Sequence, residues 1–330
     1  MTVQPSTKAR MLLRTAMLVS ALSFAGAAAA GSSGTKEVVF IAGAPSHGFM
    51  AHDYLAGSKL LADRINAVPG FSATVYYDEW PAREKLDDAS AIILYTDGAD
   101  AHPALPHKSE LAELSRSGVG IGMLHFAVEV PKQKGAAEWT QMIGGYFETY
   151  YSVNPFWRAE FRSFPAHPVA KGLKPFQLTD EWYYHMRFRD RLQGVQPVLS
   201  AVPPDETRLG NDGPYTGNPD VRAAVGKNQP EHVFWVSETH NDATSPAGRG
   251  FGCTGGHSHQ IWAQDQFRKL VLNAIVWIAH GEVPPQGIES RRPDVDELLG
   301  NRDPGVQDEQ VPPNFNRQGL ADEIAKMNEP

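Results

Sequence analysis

Apolar residues fall in short bunched runs, separated by turn residues and by stretches of helical spacing. Lys36 to Gly43 (KEVVFIAG) is the first run and predicts a buried strand. Leu61, Ile65 and Val68 follow at spacings of four and three, which puts them on one face of a helix, and Pro69-Gly70 stops it. Ala73 to Tyr77 and Ala91 to Thr96 predict the second and third strands, and Lys108 to Ser117 a short helix. Gly118 to Val130 (GVGIGMLHFAVEV) is the run around which the rest is organised. An apolar run of this length, interrupted by glycine, reads as a strand buried on both faces. Its glycines let a neighbouring backbone or a ligand come close. The order β-α-β-β-α-β predicts an α/β fold with a largely parallel central sheet.

The second half is less regular. Tyr146 to Ser163 is aromatic and reads as a β-extension over a site. Pro203 to Pro219 reads as a long loop and His232 to Glu238 as a strand ending in Thr239-His240. Gly248 to His257 reads as a turn and a small-residue strand with a histidine at its exit. Phe267, Leu270, Val271, Ala274, Ile275 and Ile278 mark a final helix closed by Gly281. Residues 36–280 therefore form the domain. Residues 281–330 read as a largely irregular tail, without a sustained pattern until Leu320 to Met327.

Right-handed crossovers bring the loops holding His47, Asp97 and His125 to one carboxyl edge of the sheet. In open α/β sheets ligands bind at that edge. His240 and His257 also follow strands. Glu181, in Asp180-Glu181-Trp182-Tyr183, can reach the same place.

Residues 1–30 change the picture of where the chain works. Lys8, Arg10 and Arg14 precede a short apolar core from Ala16 to Ala25, and Ala27 to Ala30 offers an A-x-A site. This predicts a signal peptide cleaved near Ala30, a periplasmic or secreted product, and no stable membrane association after cleavage. Cleavage removes three of 30 basic residues and none of the 38 acidic ones, so the net charge moves from −8 to −11. Such a balance argues against binding nucleic acid. The single cysteine, Cys253, excludes an intramolecular disulfide and a thiolate zinc cluster.

An ordered set of landmarks now lines up. Leu124-His125 ends the Gly-rich strand; Ile143-Gly144-Gly145-Tyr146-Phe147 follows, then His167-Pro168 with Gly172-Leu173. Asp180-Glu181-Trp182-Tyr183, Gly248-Arg249-Gly250, Gly256-His257 with Trp262, and Trp277 complete it. Over residues 36–280 the chain resembles the ThuA-like family, named for trehalose utilisation. The resemblance implies a flavodoxin-like three-layer αβα sandwich of the class I glutamine amidotransferase type. It also implies a link to the catabolism of disaccharides or oxidised sugars. In those amidotransferases the corresponding strand ends in a nucleophilic cysteine on an elbow. Here that place falls to His125, and Cys253 lies far along the chain, so amidotransferase chemistry is not expected.

Imidazoles beside carboxylates can take and return protons near neutral pH. His125, Glu181, His257 and His47 are the candidate catalytic residues. Asp97, Trp182, Tyr183 and Trp262 are the candidates for holding a small-molecule sugar, the aromatic ones by stacking. Two or three histidines with a carboxylate can also hold a divalent metal such as Zn²⁺. His257 and His259 at spacing two would share a face if that segment were a strand. The expectation is an exported carbohydrate-active enzyme using His/Glu acid–base chemistry. The alternatives are a non-catalytic sugar-binding module and a metal-dependent hydrolase of a non-sugar substrate.

Overall fold

In the computed structural model, which describes residues 1–2, 34–239, 248–302, 312 and 314–329, the first apolar run forms strand β1 (Lys36–Ala42). Its alternate residues enter two separate cores: Val38, Phe40 and Ala42 on one side, Val39 and Ile41 on the other. A strand buried on both faces needs this. Helix α1 (Tyr54–Asn66) covers the first face. The chain continues through β2 (Phe71–Tyr77), α2 (Arg83–Asp87), β3 (Ala91–Tyr95), α3 (Lys108–Arg116) and β4 (Gly120–Leu124). Every residue of β4 is buried. A Cβ on Gly120 would stand 2.4 Å from the backbone of Ile278, and one on Gly122 2.4 Å from the Phe251 ring. The glycines of the central run are thus sites of close packing.

After α4 (Ala136–Ile143) and the short β5 (Gly145–Tyr146), two longer strands pair antiparallel: β6 (Phe156–Phe161) and β7 (Phe176–Glu181). They form a small sheet apart from the main one. β8 (Arg187–Phe188), β9 (Val195–Ala201), α5 (Pro219–Arg222), β10 (Glu231–Thr239), β11 (Gly248–Cys253) and α6 (Asp265–Ile278) follow. The main sheet has seven strands in the order β2-β1-β3-β4-β11-β10-β9. Its first five strands are mutually parallel, and α1 and α6 pack on the face opposite α3 and α4. This is the expected three-layer, mainly parallel α/β architecture.

One strand departs from the parallel order of the first five. β10 runs antiparallel to β11, with Thr239 opposite Gly248 at the start of β11. Its carboxyl end therefore lies at the edge opposite the ends of β1, β3, β4 and β11. His240 itself lies outside the described residues, as does most of the expected signal peptide. No helix among the described residues is long and apolar enough to cross a membrane.

Residues beyond 281 carry more order than their composition suggests. Helices α7 (Val295–Gly300) and α8 (Arg317–Met327) bury Leu298, Leu320 and Ile324 in the same core as α1 and α6.

Candidate active site at the sheet edge

The carboxyl ends of β1, β3, β4 and β11 lie along one edge. Between β1 and β3 the chain reverses its direction of travel across the sheet, the crevice where open α/β sheets bind ligands. His125 leaves β4 at φ +52°, in the left-handed region that a β-strand exit visits only under constraint. Its side chain is fully buried, and its Nδ1 lies 2.8 Å from the Thr254 carbonyl oxygen. That oxygen can only accept, so Nδ1 carries a proton, and in the neutral ring Nε2 then presents a lone pair.

The loop after β1 supplies Ser46, His47 and His52. His52 also has a φ of +52° and is 2% exposed. It is brought to the loop after β11 by backbone pairing: the His52 N–H donates to the His257 carbonyl at 3.0 Å, and Ala51 bridges Ser258. The loop after β11 is set in turn by Asp180. This fully buried carboxylate accepts from the backbone N–H groups of Gly256, His257 and Ser258 at 2.7, 3.2 and 3.0 Å. Alternation along β7 then turns the next residue, Glu181, the other way, into the cluster.

Four groups meet there. His52 Nε2 stands 3.0 Å from His125 Nε2 and 3.1 Å from His257 Nδ1. Glu181 Oε2 stands 3.1 Å from His257 Nδ1 and 3.5 Å from His125 Nε2. Asn154 Nδ2 donates to the other Glu181 oxygen at 3.1 Å. Burial alone would push the Glu181 carboxyl up, but the imidazoles of His125 and His257 beside it outweigh burial and hold the group at about 2. Burial lowers His52 to about 3, against the pull of Asp97. Asp97 is also lowered: burial opposes its charge, and His52, Ser46 and Tyr54 more than compensate. The Tyr183 hydroxyl lies 3.1 Å from His125 Nε2, and burial raises it far above the ordinary tyrosine range, so it keeps its proton.

The structure thus gathers His125, Glu181, His257 and Asp97 in one place, with Tyr183 entering through its hydroxyl rather than a ring face. His47 sits at the rim, exposed, its ring 3.7 Å from that of His52. Two expected sugar platforms are corrected. Trp182 and Trp262 are fully buried and pack against Phe267 in the core, so neither has an open face for a pyranose. The aromatic ring at the rim is Phe156, half-exposed and 4.9 Å from His257. The pairing of His257 with His259 is corrected too. Residues 254–258 turn instead of extending, and His259 is buried outside the cluster. Cys253 is fully buried, and burial pushes its thiol up, which leaves no thiolate at this edge.

Sequence reasoning missed His52, Tyr54 and the anchoring role of Asp180. A signal was present: His52-Asp53-Tyr54 stands between the first strand and the first helix, on the same loop as His47.

Residues 39–278 match the family model ThuA, described as trehalose utilisation. The structure resembles a thua-like protein from Bacteroides uniformis ATCC 8492, with a TM-score of 0.52 and 17% identity over 76% of this chain and 96% of that one. A second, from Parabacteroides merdae ATCC 43184, gives 0.49 and 16% over 78% and 98%. No curated protein matches the chain in sequence.

Proposed function

The chain belongs to the ThuA family, and from that premise we propose that it is an exported enzyme acting on a disaccharide or an oxidised sugar at the His125–Glu181–His257 cluster. The family supports a sugar-related role. The observation that carries the enzymatic reading is the convergence of His52, His125, His257 and Glu181, from four separate segments, within 4.8 Å of one another. A protein that only binds sugar has little use for so many titratable groups held together against burial.

The environments divide the labour. Glu181 stays ionised throughout the physiological range, so it serves as a charge partner and not as an acid. Tyr183 stays protonated and donates a hydrogen bond. His257 and Glu181, 13 and 15% exposed, form the open side on which a sugar hydroxyl or carbonyl would lie. The half-exposed Phe156 ring beside His257 offers the apolar contact that pyranose faces favour. Export rests on the basic, apolar and A-x-A pattern of residues 1–30.

The test uses mature protein recovered from periplasm or medium, whose mass should place its first residue near position 31. It is assayed against a panel of di- and keto-sugars. His125→Ala and Glu181→Ala should lose turnover by ~100-fold or more while keeping the wild-type circular dichroism spectrum. Wild-type rates in both variants would sink the assignment. Sugar-induced thermal shifts without turnover would make the protein a binding module.

A further inference from the structure

We propose that His52 Nε2, His125 Nε2, His257 Nδ1 and Glu181 Oε2 are the four protein ligands of a divalent transition-metal ion of the zinc class. The proposal deepens the reading above, since it places the ion at the same cluster.

The spacing is the first argument. Four of the six donor–donor distances are 3.0, 3.1, 3.1 and 3.5 Å, and all six lie within 4.8 Å. Four donors at tetrahedral corners, each about 2.0–2.1 Å from one ion, stand about 3.3 Å apart. Hydrogen-bonded side chains could show one or two such distances; here they link all four groups in a closed ring.

Proton accounting is the second argument. The Thr254 carbonyl fixes the proton of His125 on Nδ1. On His52, Nδ1 faces the Tyr54 and Ser46 hydroxyl oxygens at 2.7 and 3.1 Å, and both hydroxyls donate to Asp97. Their oxygens are then free to accept from His52 Nδ1–H. With both rings neutral, the two Nε2 atoms are left as lone pairs facing each other at 3.0 Å inside the protein. Glu181 Oε2 is a third acceptor turned to the same point. A proton on His257 Nδ1 can serve His52 Nε2 or Glu181 Oε2, and Tyr183 can donate to His125 Nε2, but the 3.0 Å gap between the two Nε2 atoms holds no other donor. A cation at their centre removes the conflict. The pattern outside the donors agrees: metal-bound imidazoles usually pass their other N–H to a carbonyl or toward a carboxylate, as His125 does to Thr254 and His52 does toward Asp97. Three imidazoles and one carboxylate suit zinc and its first-row neighbours better than Ca²⁺ or Mg²⁺. The partial exposure of His257 and Glu181 leaves one side where a water or sugar oxygen can approach the ion.

The test is metal binding by the full mature chain, stripped with chelator and dialysed. Titration with Co²⁺, followed by visible absorption, and with Zn²⁺, followed by calorimetry, should each give one equivalent. The Co²⁺ spectrum should be intense, as four-coordinate sites are. His125→Ala and the near-isosteric Glu181→Gln should weaken Zn²⁺ by at least ~100-fold and ~10-fold, while His107→Gln, at a partly exposed site elsewhere, should not. Absence of a stoichiometric site in the folded wild type would overturn the proposal, leaving a proton on His125 as the occupant. Equal binding in all three variants would overturn it as well. The two readings fail separately. Sugar turnover by metal-free protein would remove the ion and keep the enzyme. A one-equivalent site in a protein inert to every sugar would do the reverse.

Discussion

A carboxyl 2% exposed, with one tyrosine hydroxyl as its hydrogen-bond partner among the described residues, is a poor place for a negative charge, and Glu129 is such a group. Burial raises it to about 8, the Tyr215 hydroxyl pulls the other way, and the charge of Glu181 raises it further. Its folded-state value lies above the ordinary 4.5, so its contribution to stability is complete below about pH 4.5. It is lost as pH rises toward 8, over a span worth as much as ~4 kcal/mol. Glu129→Gln removes the titration and leaves an oxygen for Tyr215. Urea unfolding at pH 5, 6.5 and 8 should show the wild type losing stability relative to the variant at each step. A constant difference would mean that Glu129 is ionised in the fold throughout. Single residues of this kind are the least legible in a sequence. His125 was legible because a strongly apolar, glycine-broken run leads straight into it. His52 was not, because it stands in a loop with no period, and its partners come from residues 125, 181 and 257. Trp182 and Trp262 misled for a related reason: an aromatic side chain packs equally well in a core or under a sugar, and sequence alone does not say which face is covered.

At the scale of elements, the loop after β11 is held by one side chain. Asp180 accepts three backbone N–H groups and is fully buried, so Asp180→Ala would strand three donors at once. Each costs about 1–3 kcal/mol when left unmade, less whatever water recovers. We expect a loss of roughly 3 kcal/mol by urea unfolding, together with loss of turnover through displacement of His257. Glu181→Gln, one residue along, should cost turnover while leaving the three backbone hydrogen bonds of the loop after β11 in place. If both variants behave alike, the division of work between these adjacent acids is wrong. The alternation of a strand made such a division foreseeable once β7 was recognised, yet the run around Asp180 is short and mixed with aromatics. The strand direction of β10 was hidden for a different reason. An apolar run carries no arrow, and its antiparallel course depends on pairing with β9 and β11, set by connections elsewhere. The parallel half was readable because helical stripes between strands force crossovers of one hand.

For the whole molecule, the open question is why a chain with a complete αβα sandwich continues for another fifty residues. The contacts give a mechanical answer. Arg302 donates to both oxygens of Asp53 at 3.0 and 3.3 Å, with both side chains buried, and its guanidinium lies over the Phe49 ring. Asp53 follows His52 directly, and Phe49 lies on the same loop, where it also meets Phe315. Arg64 of α1 is tied to Glu297 of α7 at 2.6 Å. The tail thus grips the segment that delivers His52 to the cluster and holds it at a positive φ whose strain something must offset. Arg302→Met keeps most of the apolar stem but leaves the Asp53 carboxylate buried without its partner, a change of the kind that costs about 3–5 kcal/mol. The double variant Asp53→Asn/Arg302→Met should lose clearly less than the two single losses added together, because the unpaired charge is gone. If the tail acts on the site, Arg302→Met should also reduce turnover per folded molecule, measured well below its lowered Tm. A Tm unchanged in Arg302→Met would make the tail a passive cover. A lowered Tm with full turnover would confine its role to stability and separate the strap from the chemistry it borders.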